Sequence, residues 1–246
     1  MKLNKKIIIV TGGSGLLGKE FVNFLKNENA IVINADATEP LHNKECFHYC
    51  DITDSNSVDS LIKFVLDKYG RIDGLVNNAY PRTKDWGTSF ENVKEDSWRM
   101  NIDMQLNSYV FISRKVLLEM KKQAFGGSIV NLGSIYGFLG PDFTVYENTT
   151  MGNSAEYAAI KGGIINLTRY LASLYGKENI RVNTVSPGGV FDNQNEIFVN
   201  QYSKKVPLGR MATPLDIAPS IAFLLSDESK YITGQNLIID GGWSIV

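Results

Sequence analysis

The sequence predicts an α/β fold in which a doubly wound parallel sheet carries helices on both faces, in three α/β/α layers. Short aliphatic runs alternate with longer amphipathic stretches along the chain, which is typical of a parallel sheet with helical crossovers. A glycine-rich turn, TGGSGLLG, follows the first aliphatic run directly, at residues 11–18. The chain has 246 residues, 43% of them apolar. With no linker or internal repeat in the sequence, we expect one domain over residues 1–246.

Six apolar runs are predicted to be buried strands, because they are aliphatic or β-branched and lack polar alternation. They span Ile7–Val10, Ile31–Asn34, Gly74–Asn77, Ser128–Leu132, Arg181–Val185 and Leu237–Asp240. Five stretches between them have the apolar spacing of amphipathic helices. They span Gly18–Asn27, Ser55–Tyr69, Trp98–Lys122, Ala155–Tyr175 and Pro214–Leu225. The last helix follows Thr213, a capping residue, and has proline at its first position.

Three long segments lack clear periodicity, at about residues 81–96, 137–153 and 188–205. Each follows a predicted strand. Because the ligand crevice of a doubly wound sheet lies beyond the carboxyl ends of its strands, we expect these segments to form the substrate loops.

The glycine-rich turn predicts a phosphate-binding loop. Glycine lets a pyrophosphate approach the amides at a helix N-terminus, where the dipole favours negative charge. The predicted turn residues are Gly12, Gly13, Ser14, Gly15, Leu16 and Leu17.

Asp36 follows the second predicted strand. A carboxylate there accepts hydrogen bonds from adenosine ribose hydroxyls and repels a 2′-phosphate, and no Lys or Arg stands beside it to hold such a phosphate. We therefore predict a nicotinamide dinucleotide cofactor, with NAD(H) favoured over NADP(H). The alternative is that Asp36 only opens a turn.

The charge balance argues against nucleic acid or a membrane surface as a partner, since such binders usually have a basic excess. The formal net charge is −1, from 25 Lys+Arg and 26 Asp+Glu. The aliphatic run IIIV near the N-terminus is too short for a signal peptide or a membrane span, so we predict a cytoplasmic protein. Cys46, Cys50, His42 and His48 lack the paired spacing of a zinc site, and no metal is expected.

Tyr157 and Lys161 are one helical turn apart on the same face of a predicted helix. A free tyrosine, with a pKa near ~10, is a poor acid or base at neutral pH, but a neighbouring ammonium stabilises the phenolate. Such a pair can exchange a proton with an alcohol or a carbonyl.

The chain resembles the short-chain dehydrogenase/reductase family from Lys5 to Val246. The motifs that carry the resemblance occur in the family's order: TGGSGLLG at 11–18, CDI at 50–52, NNA at 77–79, NLGS at 131–134, Tyr157 with Lys161, RVN at 181–183, PG at 187–188 and TGQNLIIDGG at 233–242. The resemblance implies a Rossmann-like fold and hydride transfer between nicotinamide and a CH–OH group.

The resemblance also implies a role for each matching residue. Tyr157 is the general acid/base, Lys161 lowers the pKa of Tyr157 and holds the nicotinamide ribose, and Ser134 hydrogen-bonds the reacting oxygen. The other implied cofactor contacts are Asp51 and Ile52 at the adenine, Asn78 and Ala79 on the ribose side, and Pro187, Gly188 and Val190 near the carboxamide.

The sequence departs from the family pattern at the helix position that commonly carries a catalytic asparagine. Counting from Trp98, this position is Gln105, and Asn101 lies one turn earlier on the same face. Either amide is a candidate to hold a water that relays a proton to Lys161, and an altered relay is the alternative.

A second departure lies at the mouth of the crevice, where the family's usual NNAG reads NNAY and is followed by Pro81 and Arg82. The planar guanidinium of Arg82 suits a substrate carboxylate or phosphate. The alternative is that Arg82 is a solvated loop residue.

The segment between Ser134 and Tyr157 is longer than usual for the family, and its extra residues are polar. With Tyr136, Tyr146, Asp192 and Asn193, it favours a hydroxyl-rich, sugar-like substrate over an apolar one. The NNAYPR and GGVFDNQ strings resemble a subgroup associated with flagellin-modification sugar pathways.

Three other functions stay open. A non-catalytic dinucleotide-binding module would leave Tyr157 and Lys161 unused, as would a Rossmann-type methyltransferase. An epimerase or dehydratase that works through a transient keto sugar is also consistent with the glycine spacing of TGGSGLLG. Apolar residues on more than one face of Trp98–Lys122 and Ala155–Tyr175 leave a surface for a partner. The family resemblance implies that copies of the chain pair through these helices, so we expect a homodimer or homotetramer.

Overall fold

A parallel sheet runs through the molecule, which we describe from a computed structural model covering residues 3–42 and 44–246. In these residues the sheet has seven strands in the order β3-β2-β1-β4-β5-β6-β7, all parallel. The strands are β1 Ile7–Thr11, β2 Ile31–Asp36, β3 Phe47–Tyr49, β4 Gly74–Asn77, β5 Gly127–Leu132, β6 Ile180–Pro187 and β7 Asn236–Ile239.

Helices cover both faces of the sheet. They are α1 Leu16–Asn27, α2 Ser55–Tyr69, α3 Glu95–Ile102, α4 Ser108–Met120, α5 Ala155–Tyr175, α6 Glu196–Lys205 and α7 Pro214–Leu225. Residues of α2, α4 and α5 bury apolar side chains in a core on one face, and residues of α1 and α7 do so on the other. The predicted doubly wound, three-layer α/β/α fold is therefore confirmed.

The strand order reverses at β1, which pairs with β2 on one side and with β4 on the other. The turns that follow β1, β4, β5 and β6 consequently meet at the carboxyl edge of the sheet. Ligands of doubly wound sheets bind at such a switch point. Within the described part of the chain, no helix is both long and apolar enough to cross a membrane.

The helix predicted over Trp98–Lys122 differs from the observed one. It begins earlier, at Glu95, and a π-helical segment, Asp103–Asn107, separates α3 from α4. Across this segment the backbone N–H of Ser108 reaches the carbonyl of Asp103, five residues back. A π turn holds one more residue than an α turn. The extra residue changes which side chains point in a given direction, while the apolar pattern of the sequence continues through the segment.

The prediction that residues 188–205 are irregular was wrong for the second half of the segment, which forms α6. The side chain of Asn195 caps α6 by accepting a hydrogen bond from the Ile197 N–H at 2.9 Å. Phe198 and Tyr202, one turn apart, are buried in a third apolar cluster. The ring of Tyr202 stacks on Trp243 with centroids 4.2 Å apart.

Strand β3 was also missed, because three residues at the edge of the sheet give no readable periodicity. In the part of the chain that the structure describes, β3 pairs only with β2. The other predicted strands and helices lie within two residues of their observed bounds at each end.

Candidate active site

A cavity of about 820 Å³ lies at the carboxyl edge of the sheet. It is within the range of roughly 300–1,000 Å³ that is usual for ligand pockets. The predicted site residues that line it are Gly12, Gly15, Leu16, Leu17, Asp36, Asp51, Ile52, Asn78, Ala79, Arg82, Ser134, Tyr136, Tyr146, Tyr157, Lys161, Pro187, Gly188, Val190 and Asp192. Five predicted residues are not in the lining: Gly13, Ser14, Asn101, Gln105 and Asn193.

The turn after β1 packs so closely against its neighbours that two of its glycines have no room for a side chain. Gly12 has a φ of +64°, and a Cβ on it would lie 2.6 Å from the Cα of Ala79. A Cβ on Gly18 would overlap the carbonyl oxygen of Gly12. Helix α1 begins at Leu16 without a side-chain cap, so its first amides are available to an anion. These features fit the pyrophosphate of a dinucleotide.

Asp36 is held at one end of the cavity by backbone amides. Its Oδ2 accepts a hydrogen bond from the Ser14 N–H at 2.9 Å, and its Oδ1 accepts one from the Thr38 N–H at 2.8 Å. The carboxylate therefore does open a turn, and it also joins the glycine-rich turn after β1 to β2. Ser14 lies behind the turn, where its hydroxyl donates to the Thr38 carbonyl at 2.7 Å.

Asn78 connects the turn after β4 to the turn after β1. Its side-chain amide donates to the carbonyls of Thr11 and Gly12, both at 3.0 Å, while the Thr11 hydroxyl accepts from the N–H groups of Asn78 and Ala79. Asp51 and Ile52 line the same end of the cavity as Asp36.

The other end of the cavity brings Ser134, Tyr157 and Lys161 together. Ser134 follows β5, and Tyr157 and Lys161 lie in the first two turns of α5. Burial raises the pKa of Tyr157, and a hydrogen bond with Ser134 opposes this shift. Burial lowers the pKa of Lys161 to about 7. The Lys161 ammonium donates to the Leu132 carbonyl at 2.7 Å.

Aromatic rings surround these groups. The Nζ of Lys161 lies 5.7 Å from the ring centroid of Tyr80, 5.9 Å from that of Tyr109 and 5.5 Å from that of Tyr157. Tyr80 also contacts Tyr157 edge to face, with centroids 5.8 Å apart, and Trp86 at 5.6 Å. These rings leave the ammonium little contact with water.

The two candidate amides have different surroundings. Asn101 is committed to the loop after β4: its Oδ1 accepts from the Thr83 N–H at 3.0 Å and its Nδ2 donates to the Thr83 hydroxyl at 3.1 Å. Gln105 lies in the π-helical segment and is only 1% exposed. Within the described part of the chain, neither its side-chain oxygen nor its nitrogen has a hydrogen-bond partner.

Residues of three loops line the cavity near Ser134 and Tyr157, at the end that we call the substrate end. The hydroxyls of Tyr136 and Tyr146 lie 3.4 Å apart, and the guanidinium of Arg82 lies over the Tyr80 ring at 5.4 Å. Among the described residues Arg82 forms no ion pair. Asp192 faces the cavity, whereas Asn193 occupies a turn with a φ of +56°.

Sequence reasoning missed several lining residues. Five of them are Ile135, Met151, Phe198, Tyr202 and Met211. The Tyr202 hydroxyl accepts a hydrogen bond from the Gly189 N–H at 2.6 Å and so supports the turn after β6. The signal for Phe198 and Tyr202 was their helical spacing after Asn195, a capping residue, and before two lysines.

The cysteine and histidine segment near β3 lies outside this arrangement, except that Cys50 lines the cavity. The His48 ring stacks on Phe64 with centroids 4.4 Å apart. Burial raises the pKa of Cys50 to about 11. In residues 3–42 and 44–246 no three His, Cys, Asp or Glu side chains form a group that could hold a metal.

Comparisons with known proteins agree with this architecture. A family model described as Enoyl-(Acyl carrier protein) reductase matches residues 25–244. A short-chain dehydrogenase from Leptospira borgpetersenii with bound NAD⁺ is 35% identical and superimposes with a TM-score of 0.90, covering 99% of this chain and 94% of that one.

Two relatives are similar to this chain over almost their full length. Post-translational flagellin modification protein A from Campylobacter coli is 39% identical over 261 residues, which is 99% of this chain and 100% of that protein. The 7alpha-hydroxysteroid dehydrogenase of Bacteroides fragilis is 33% identical, over 99% and 96% of the two chains. The chain thus belongs to the short-chain dehydrogenase/reductase family of oxidoreductases.

Proposed function

We propose that this protein is an NAD(H)-dependent oxidoreductase that interconverts a hydroxyl and a ketone on a polar, sugar-like substrate, with Tyr157 as general acid/base. The observation that carries the proposal is that Ser134, Tyr157 and Lys161 line one end of a cavity whose other end holds the glycine turn and Asp36. A proton-transfer group and a dinucleotide cradle therefore share one space.

The preference for NAD(H) rests on Asp36. Its carboxylate is fixed at the cavity by Ser14 and Thr38, and each oxygen has a further lone pair for a ribose hydroxyl. A 2′-phosphate would meet this negative charge at close range. That the Leptospira relative was solved with NAD⁺ supports the same choice.

The remaining cofactor contacts follow the geometry of the cavity. Gly12, Gly15, Leu16 and Leu17 would hold the pyrophosphate, with Gly13 and Ser14 supporting the turn from behind. Asp51 and Ile52 would flank the adenine, Asn78 and Ala79 the ribose, and Pro187, Gly188 and Val190 the carboxamide.

The proton chemistry falls to the protein's own residues. When bound, the nicotinamide accepts or supplies the hydride. In the oxidative direction, the Tyr157 phenolate takes the proton of the substrate hydroxyl. Ser134 hydrogen-bonds the reacting oxygen, and the Lys161 ammonium stabilises the phenolate and holds the nicotinamide ribose.

The substrate proposal rests on the polar groups at the Ser134 end. Tyr136, Tyr146 and Asp192 supply hydroxyl and carboxylate partners for a hydroxyl-rich molecule. Asn193 follows Asp192 in the sequence. Arg82, which has no acidic partner in the described residues, would receive a carboxylate or phosphate of the substrate.

We further propose that the chain forms one catalytic domain, that it self-associates and that it is located in the cytoplasm.

Purified protein assayed with NAD⁺ and NADP⁺ across polyols and phosphorylated or nucleotide-linked sugars tests the proposal. We expect NAD⁺-dependent turnover, and Tyr157→Phe should lower kcat/KM by about 10²–10⁴-fold while NADH still binds. Asp36→Ala should weaken NADH binding and lower the ratio of the affinity for NADH to the affinity for NADPH. The control is Tyr231→Phe, at a fully exposed tyrosine outside the cavity.

Three outcomes would overturn the proposal. Tight NADH binding without hydride exchange on any substrate indicates a binding module. Turnover without net change in NADH, with cofactor retained on purification, indicates an epimerase or dehydratase. Activity confined to a neutral apolar alcohol excludes the sugar-like substrate.

A further inference from the structure

The Lys161 ammonium is buried with little to compensate its charge. Its exposed fraction is 5%, and the Leu132 carbonyl is the hydrogen-bond acceptor on it, at 2.7 Å. An ammonium has three N–H donors. Among the described residues no carboxylate lies within ion-pair distance of Lys161. Burial of this kind favours the neutral amine, which could not stabilise a phenolate.

Aromatic ring faces are the remaining partners of this charge. Tyr80, from the loop after β4, lies 5.7 Å from Nζ, Tyr109 of α4 lies at 5.9 Å, and Tyr157 of α5 itself at 5.5 Å. A cation within about 6 Å of a ring centroid is attracted by the ring quadrupole, most strongly when water is excluded. All three rings therefore act in favour of the charged form.

Tyr80 is the ring that distinguishes this chain, since the family's usual motif has glycine at this position. Its ring is fixed by edge contacts with Trp86 and Tyr157. Burial raises the pKa of the Tyr80 phenol above its ordinary value, so Tyr80 stays neutral and does not compete with Tyr157 for protons. The guanidinium of Arg82 also lies over this ring, 5.4 Å from its centroid.

We propose that Tyr80 is a positioning residue for Lys161, whose ring keeps the buried Lys161 amine in the charged form that proton transfer at Tyr157 requires. The inference rests on the proposed function of Tyr157 and Lys161. In the described residues, the groups facing Lys161 are the rings of Tyr80, Tyr109 and Tyr157 and the Leu132 carbonyl, and the guanidinium of Arg82 lies over the same Tyr80 ring. Without the Tyr80 ring, Lys161 would lose its proton at lower pH.

Competitive acetylation measures the ionisation of Lys161 directly, without any substrate. Labelled acetic anhydride reacts with the neutral amine, and mass spectrometry of the Lys161 peptide across pH gives the midpoint. We expect Tyr80→Leu, which removes the ring, to lower this midpoint by about one pH unit, a tenfold change in the neutral fraction. Tyr80→Phe, which keeps the ring and loses only the hydroxyl, should leave it unchanged.

The pH dependence of kcat/KM for oxidation gives the second readout. In Tyr80→Leu, Lys161 would be neutral over a wider pH range, so the pKa of Tyr157 in the kcat/KM profile should rise. At pH values below that pKa, kcat/KM should be about tenfold lower than in the wild type. Tyr80→Phe should match the wild type. Far-UV circular dichroism and thermal unfolding check that both variants fold.

Two results would overturn the proposal: an unchanged acetylation midpoint in folded Tyr80→Leu, or an equal shift in Tyr80→Leu and Tyr80→Phe, which would assign the effect to the hydroxyl. Absence of turnover on every sugar would count against the proposed function alone, because the acetylation midpoint does not depend on it.

Discussion

Gln105 and Asn101 are similar side chains that the fold places in different circumstances. Both are buried and both lie near the junction of α3 and α4. Asn101 has both of its amide atoms bonded to Thr83, whereas the amide of Gln105 has no partner in the described residues. An unpaired buried amide costs free energy, on the order of 1–3 kcal/mol, and such a cost is usual at functional positions.

We predict that the two amides respond differently to substitution. Gln105→Ala should lower kcat and alter the pH–rate profile, because it removes the candidate holder of a relay water. Asn101→Ala should chiefly raise KM, because it releases the loop at Thr83. Steady-state kinetics from pH 6 to 10 separates the two; an unchanged profile in both variants would remove an amide relay from the mechanism.

Lys161 also links the active site to the stability of the fold. Its pKa is about 7 in the folded chain, against about 10.4 for an unperturbed lysine. Because the unfolded chain binds this proton more tightly, the residue destabilises the fold at and below pH 7. The cost falls as pH rises towards 10.4, where both states are neutral.

Lys161→Met should therefore raise the free energy of unfolding at pH 7, by about 1–4 kcal/mol as for other buried charges replaced by apolar residues, while it abolishes turnover. The gain should shrink when urea unfolding is repeated at pH 10. Lys177→Met, an exposed lysine, is the control. A gain of equal size at both pH values would contradict the assigned cause.

At the scale of elements, α6 and the loop between β5 and α5 are joined into one wall of the cavity. The side-chain amide of Gln201 donates to the carbonyls of Val145 and Glu147, both at 3.0 Å. Lys205 forms an ion pair with Asp142, which lowers the pKa of that carboxyl to about 2. Tyr146 packs on Phe198 with centroids 5.2 Å apart.

Breaking this connection should loosen the substrate end of the cavity and leave the dinucleotide end intact. We predict that Gln201→Ala raises KM for the carbonyl or alcohol substrate about 3–10-fold, as expected for a loss of roughly 0.5–1.5 kcal/mol of hydrogen bonding, with NADH affinity unchanged. Gln235→Ala, an exposed glutamine near β7, is the control. Weaker NADH binding in Gln201→Ala would show that the wall also supports the cofactor.

The elements differ in how well the sequence predicted them. Strands such as Gly74–Asn77 and the helix Ser55–Tyr69 were predicted at their observed bounds, because burial on both sheet faces and a left-handed Gly70 cap leave clear local signals. The π-helical segment and β3 left none, since one depends on an extra residue in a turn and the other on pairing with β2.

At the scale of the whole molecule, a buried polar chain connects strands β4 and β5 to helix α5. Asn77 of β4 donates to the Asn131 side chain at 2.8 Å, and Asn131 of β5 donates to the Thr168 hydroxyl at 2.9 Å. Thr168 lies on α5, two turns after Lys161. The position of Tyr157 and Lys161 is therefore set by the sheet as well as by apolar packing.

Exposed apolar side chains remain on the outer sides of α4 and α5: Phe111, Leu118, Tyr170 and Leu174 are each about half exposed or more. We predict that two copies of the chain cover these helices with each other. Leu174→Glu combined with Phe111→Glu should lower the mass seen by light scattering after size-exclusion chromatography. Leu41→Glu, at an exposed loop position, is the control; a wild-type monomer would refute the prediction.

The sequence by itself determined the order of strands and helices, the glycine-rich turn after β1 and the spacing of Tyr157 and Lys161 on one helix, because each depends on residues close together in the chain. Only the tertiary structure decided which polar groups meet. Asn101 bonds to Thr83, whereas Gln105 has no partner among the described residues. Ser14 lies behind the glycine-rich turn, and Tyr80 lies beside Lys161. These contacts join segments that are apart in the chain and meet only when the fold packs, so local periodicity does not predict them.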